Sequence, residues 1–391
     1  MKKSFLLLIA IALLIACRKT RIYPLLESPA GIPWVDSSLT HPKNQVFRTL
    51  IEKYNKKGLP GISLLVRDKD GTWCGSTGKA DIENGIDFGV AQVSKIASIS
   101  KFILNTLVFK LFEDSVNSKL GYSAINTKIK TWLPADMVKK IANADIVTLG
   151  QLMNHESGIP DIIEEDNFYL KALNKPTQHW DYEDLVACIY NKPAVFKPSD
   201  TAIYSNTNII LITMIIESAT GRKHSELLHQ YVLTPLGMHK TYYFPFDKLP
   251  KNNVAQGYYD LYNNNTLVNV SNILTGGMYS NLFDLYRFLD AMLLKKNFLA
   301  PKSIRLMETW GNKPDSSNIY GYGIMKKFIE RGDDAGIGHS GRDLGYTANL
   351  FYFPKKNVSH IFLINYGSDG ESRLRVIFKE FQEELLNITL K

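Results

Sequence analysis

Several features that would place a sequence quickly are scarce or missing here. Three cysteines in 391 residues, Cys17, Cys74 and Cys188, are too few for the disulfide framework of a small secreted domain. The one long apolar run, from Phe5 to Ala16, falls short of the ~20 residues a helix needs to cross a ~30 Å hydrocarbon core. There is no internal repeat, no low-complexity tract and no Gly-rich phosphate loop, which excludes solenoid, fibrous and phosphate-loop nucleotide-binding classes. The histidines show no metal-ligand spacing, so neither a metal site nor a cofactor is expected. What remains is ordinary globular composition, 45% apolar and 21% charged, on a chain long enough to bury a large core.

The charge balance is uneven along the chain. The net charge is +8, and residues 1–44 carry half of it, with Lys2, Lys3, Arg18, Lys19, Arg21 and Lys43 against Glu27 and Asp36. The basic excess therefore belongs as much to the N-terminus as to any surface, and no nucleic-acid partner is expected.

Met1 to Ala16 has two lysines and then the apolar run, which predicts a signal peptide. Leu14-Ile15-Ala16-Cys17 resembles a bacterial lipobox, whose cysteine becomes the lipidated first residue of the mature protein. The expectation is an exported, lipid-anchored protein of the bacterial cell envelope, facing the periplasm. Residues 17–44, with Pro24, Pro29, Pro33 and Pro42, read as an extended tether. In an exported protein Cys74 and Cys188 are free to pair or to stay thiols.

Residues 45–391 form the globular part. Gln45 to Lys56 is patterned as an amphipathic helix, and Gly61–Val66, a turn at Asp68–Gly71 and Thr72–Gly75 predict a hairpin. Helical stretches follow at 98–113, 147–153 and 208–219. Strand signals return at 350–353 and 360–364, and a last amphipathic helix covers 372–386. Strands at both ends of a helical middle predict an α+β fold whose sheet is completed by the two termini. The sheet lobe takes about 45–93 and 290–391, and the helical lobe about 94–289.

Three short patterns carry chemistry. Ser98-Ile99-Ser100-Lys101 opens an apolar helix, and residues three apart share a helix face, so Lys101 stands beside the Ser98 hydroxyl. An apolar surround and the positive helix end both disfavour a charged lysine, which turns it into a base for the serine. The same S-x-x-K spacing recurs at Ser76 and Lys79, in a strand and turn context. Tyr204-Ser205-Asn206 offers a phenol to relay a proton and an amide to donate to a substrate carbonyl, but Tyr-x-Asn also occurs at Tyr262 and Tyr279. His339-Ser340-Gly341 is the only His-x-Gly, and its glycine allows a substrate to lie close to the backbone.

In this order the three patterns resemble those of the serine β-lactamase-like superfamily, in the branch with class C β-lactamases, DD-peptidases and related esterases. The segments 152–160, 235–238 and 276–285 are similar to further stretches of that family, and the last assigns Tyr279 elsewhere, leaving Tyr204 as the catalytic candidate. The resemblance implies a β-lactamase/transpeptidase-like fold, with an antiparallel sheet flanked by helices beside an all-helical lobe and the active site between them. It implies that Ser98 forms an acyl-enzyme, that Lys101 and Tyr204 manage the proton, and that Asn206, His339, Gly341 and Arg342 bind substrate. The backbone N–H groups of Ser98 and Arg342 would make the oxyanion hole. The expected activity is hydrolysis of a D-amino-acid peptide or a carboxylic ester. The alternatives are a β-lactamase or a non-catalytic envelope protein that binds peptidoglycan peptides. His339 stands where many β-lactamases carry lysine, which counts against efficient β-lactam turnover.

Overall fold

The computed structural model describes residues 38–391 except 166–167, 169–173, 175–179, 260–276, 312–314, 316–317 and 369–371. The signal peptide, Cys17, most of the tether and the Tyr262-x-Asn264 match lie outside the described residues. Among the described residues, no helix is long and apolar enough to cross a membrane.

Helix α1 (Asn44–Lys56) buries Leu50, Ile51 and Tyr54 as its spacing predicts, with Phe47 on the inward stripe where Val46 was expected and Val46 exposed. The hairpin follows as β1 (Gly61–Asp68) and β2 (Gly71–Asp81), paired from Gly61↔Gly78 to Asp68↔Gly71. Its turn is held by the Asp70 N–H donating to Asp68 Oδ1 at 2.9 Å. Strand β3 (Ile86–Asp87) edges this hairpin. From the C-terminal half come β7 (Asn318–Tyr320), β8 (Met325–Lys327), β9 (Gly336–Asp343), β10 (Tyr346–Phe353) and β11 (Val358–Ile364). The eight-stranded antiparallel order is β3-β2-β1-β11-β10-β9-β8-β7, so β1 and β11 join the two ends of the chain.

Alternation along these strands feeds two cores. Ile62, Leu64, Val66, Phe351, Phe353, Phe362 and Ile364 pack under α1 and the last helix, here α6 (Arg375–Leu390). Tyr54 meets Phe381 edge-on across those two helices, with centroids 5.5 Å apart. Helix α6 begins and ends later than expected, because Leu386 and Leu390 continue the buried stripe beyond 386. Leu65, Ala348, Leu350, Ile361 and Leu363 face the opposite core, which α2 (Ile99–Glu113) enters as a helix buried nearly all round.

The middle segment holds α3 (Leu149–Met153), α4 (Asn206–Thr220) and α5 (Leu282–Leu289). It also adds a small sheet in the order β4-β6-β5, from β4 (Ser94–Lys95), β5 (Tyr242–Tyr243) and β6 (Met278–Ser280). Strands of two or three residues have no period to read, so this sheet had no signature in a segment read as helical. Cys74 and Cys188 are thiols, not a disulfide.

Candidate active site

Ser98 sits where β4 turns into α2. The turn passes through Ala97 at φ +46°, a left-handed conformation that costs a non-glycine residue ~1–2 kcal/mol. The Ser98 hydroxyl caps none of the helix's N–H groups. It is hydrogen-bonded instead to Lys101 Nζ, 2.9 Å away. Lys101 is buried, and burial pushes its ammonium down to about 7 against the opposing pull of Asp161 and Asp343. Near neutral pH much of the lysine is therefore an amine with a lone pair for the serine proton. The other S-x-x-K match is no such pair: Ser76 and Lys79 lie on β2, and Lys79 points outward to an ion pair with Asp87.

The Tyr204 ring centroid is 5.2 Å from Lys101 Nζ. Tyr279 lies in β6 opposite Lys95, packed on Phe244 and Tyr346. Of these two Tyr-x-Asn tyrosines, Tyr204 is thus the one at the lysine. Beneath it lies His155, in the left-handed region at φ +62°, with its ring 4.5 Å from that of Tyr204. His155 Nδ1 accepts the Ser205 N–H at 3.2 Å, which places its own ring hydrogen on Nε2. Asn208 Nδ2 lies at the same distance from Nδ1. Burial pushes His155 down to about 3, with the neighbouring Lys101 adding to it, so the ring is neutral. Asn206 opens α4, and its Nδ2 donates to Asp161 Oδ2 at 2.8 Å. The amide expected to meet substrate thus already holds a carboxylate, one whose acidity burial weakens.

His339, Gly341 and Arg342 lie within strand β9, ahead of the first strand signal that the sequence carries in this half, at 350–353. Three glycines and an aspartate between 336 and 343 hide the strand from propensity, and pairing with β10, His339↔Leu350, makes it. His339 Nδ1 lies 2.7 Å from the Ser340 carbonyl, which can only accept, so the ring hydrogen is on Nδ1. Burial holds His339 at about 3, and it is neutral as well. A Cβ on Gly341 would run into the Ile96 carbonyl and sit 3.2 Å from the Ser98 nitrogen, so β9 passes directly over the Ser98 backbone. The Arg342 guanidinium stacks on Phe378 of α6 at 4.8 Å.

Ser98, Tyr204, Asn206, His339 and Arg342 line one cleft of about 920 Å³, with Asp161 on its wall. Among the described residues, no group of three His, Cys, Asp or Glu could hold a metal ion.

The sequence profile of the family described as Beta-lactamase matches residues 47–380. The chain belongs to the beta-lactamase family. Penicillin-binding protein 4* of Bacillus subtilis (strain 168) is 25% identical over 349 residues, 83% of this chain and 72% of that protein. The D-alanyl-D-alanine-carboxypeptidase/endopeptidase AmpH of Escherichia coli (strain K12) is 23% identical over 316 residues, 77% of this chain and 78% of that enzyme. Among solved structures, the D-amino acid amidase of Ochrobactrum anthropi SV3 superposes with a TM-score of 0.72 at 21% identity, covering 88% of this chain and 98% of that one. That likeness establishes the shared beta-lactamase-family fold.

Sequence reading of this beta-lactamase-family chain missed His155 and Asp161 as parts of the site. Their contacts, Tyr204 and Ser205 for one and Asn206 for the other, are 45 to 50 residues away. No local pattern announces such pairings. The only available signal was position, since both lie in the 152–160 segment or directly after it.

Proposed function

We propose that this protein is a serine hydrolase that works through an acyl-enzyme on a D-amino-acid peptide or a carboxylic ester. The observation that carries this reading is the 2.9 Å pair of Ser98 Oγ and Lys101 Nζ, with the lysine brought to about 7 by burial. Ser98 Oγ attacks the carbonyl carbon while its proton passes to the Lys101 amine, which favours Lys101 over Tyr204 as the acceptor. The tetrahedral oxyanion is met by the backbone N–H groups of Ser98 and Arg342. As the C–N or C–O bond breaks, the proton travels by way of Tyr204 to the departing amine or alkoxide. Water then adds to the acyl ester and gives up a proton to the same pair, releasing the acid and regenerating Ser98. Asn206, His339 and the backbone at Gly341 bind the substrate along β9. The named activities of the carboxypeptidase/endopeptidase and the amidase support an amide or peptide substrate with a D-centre.

The test pairs wild type with Ser98→Ala on a p-nitrophenyl ester, a D-Ala-D-Ala peptide and nitrocefin, alongside labelling by a fluorophosphonate. Labelling at Ser98 and ester or peptide turnover lost in the variant support the reading. Equal residual activity in both proteins supports a binding module instead, and nitrocefin as the best substrate supports a β-lactamase. For the lipid anchor at Cys17, the expected result is membrane fractionation of the wild type and release of Cys17→Ala.

A further inference from the structure

We propose that the buried ion pair of Lys95 and Asp343 sets the separation of the two backbone N–H groups that meet the oxyanion. This rests on the hydrolase reading above and makes both side chains positioning residues for it. The two N–H groups come from different sheets. Ser98 follows β4 of the three-stranded sheet, whereas Arg342 lies near the end of β9 in the eight-stranded one. Lys95 is the last residue of β4, three positions before Ser98, and Asp343 is the last of β9, one position after Arg342. Their Nζ and Oδ2 are 2.5 Å apart, and Lys95 is 4% exposed. The pair therefore ties the two segments together just outside the atoms that would hold the oxyanion.

The surroundings fit a spacing role. The Ile96 N–H donates to the Met278 carbonyl at 3.0 Å, which fixes the Ser98 segment to β6. Asp343 Oδ1 accepts the Leu344 N–H at 2.7 Å, which fixes the carboxylate's own orientation. Between these anchors Gly341 touches the Ile96 carbonyl, and Ala97 keeps its left-handed φ, a conformation that persists only when its surroundings over-determine it. Stability alone is a poor reason for the pair, because replacing a buried ion pair with apolar side chains is often neutral or stabilising. The two buried lysines of this segment are also driven apart. Burial works to discharge both, but at Lys95 the Asp343 carboxylate and Tyr279 together outweigh it and hold that ammonium above its usual range, whereas Lys101 falls to about 7. One lysine serves as a fixed cation and the other as a base.

Asp343→Glu keeps the charge and lengthens the tether by one methylene, and Lys95→Met and Asp343→Asn remove the pair. Active sites are counted by exhaustive fluorophosphonate labelling, and kcat per counted site and KM are measured on a p-nitrophenyl ester with the rate of labelling. The expected result is kcat lower by about 10- to 100-fold, labelling slower by the same factor and KM within about twofold, since a lost oxyanion donor costs ~10²–10³. A merely structural role would reduce Tm and the number of sites but leave kcat per site intact. Wild-type kcat per site in Asp343→Glu overturns the inference, as does failure of that charge-conserving variant to fold at 25 °C. A wild type that neither labels nor turns over overturns the hydrolase reading and this inference with it. An active wild type with an unaffected Asp343→Glu overturns this inference alone.

Discussion

The His155 ring lies under the Tyr204 ring at 4.5 Å and 32°, while its Nδ1 accepts the N–H of the very next residue, Ser205. One side chain thus sets both the plane of the phenol and the backbone that carries it. His155→Ala removes the ring and leaves the buried Ser205 N–H short of an acceptor, which costs ~1–3 kcal/mol. The expectation is a lower Tm and a kcat reduced by about tenfold or more on a p-nitrophenyl ester, with KM nearly unchanged. His155→Asn restores an acceptor without the ring and should recover most of the Tm but not the kcat. Recovery of both would assign His155 to the backbone alone.

Because Lys101 must be an amine to take the serine proton, kcat/KM should rise with pH and level off through an apparent pKa near 7. Lys101→Arg, charged at all working pH values, should lose at least 10³-fold in kcat/KM, given residual effects of ~10³–10⁴ from binding and oxyanion contacts alone. The same burial has a stability consequence of definite sign. The unfolded chain keeps this proton up to about 10.5 and the folded chain releases it near 7, so stability climbs between those values. Lys101→Met should therefore stabilise the fold at pH 6, by on the order of a few kcal/mol at 25 °C, and raise Tm accordingly. A wild-type ester profile flat from pH 5.5 to 8.5 would contradict the assignment of the base.

The elements that sequence exposed were those with local geometry. Three-residue spacing on a helix brought Lys101 to Ser98, and short apolar runs rich in aromatic and branched residues marked β10 and β11. The choice of Tyr204 over Tyr279 was not local: both sit in a Tyr-Ser-Asn triplet, so the choice came from the family resemblance of 276–285, and tertiary position puts Tyr204 at Lys101 and Tyr279 opposite Lys95. Lys95 reads as an ordinary lysine until Asp343, 248 positions away, is placed against it. His339 was recognised from its triplet, yet its strand was hidden by the glycines that let β9 pass the nucleophile.

Gly341 tests that passage directly. Gly341→Ala places a methyl, fixed rigidly to the β9 backbone, against the backbone carbonyl of Ile96, so relief requires β9 or the Ser98 segment to move. Displacing one oxyanion donor by about an ångström approaches its loss, so kcat should fall by ~10²-fold or more while the cleft still binds ligand. Fluorophosphonate labelling rate against Tm checks this. Unchanged labelling in a folded Gly341→Ala would show that β9 does not hold the second donor.

The neutral state of His339 decides how this site treats charged substrates. An ordinary imidazole near 6.5 would gain a charge on acidification from pH 8 to 5 and tighten its hold on a carboxylate. Here burial puts that change at about 3, with Lys101 and Lys327 pushing the same way, so His339 stays uncharged across the range. KM for an anionic peptide should then show no inflection near 6.5 from His339. His339→Gln, also neutral, should keep the same KM profile. Nitrocefin, whose carboxylate meets a neutral imidazole at His339 instead of a charged side chain there, should be turned over at least about 10²-fold more slowly than the ester, the scale of one lost charged contact at ~2.7 kcal/mol. An inflection near 6.5 that disappears in His339→Gln would mean that His339 titrates in the open cleft and supplies the cation after all.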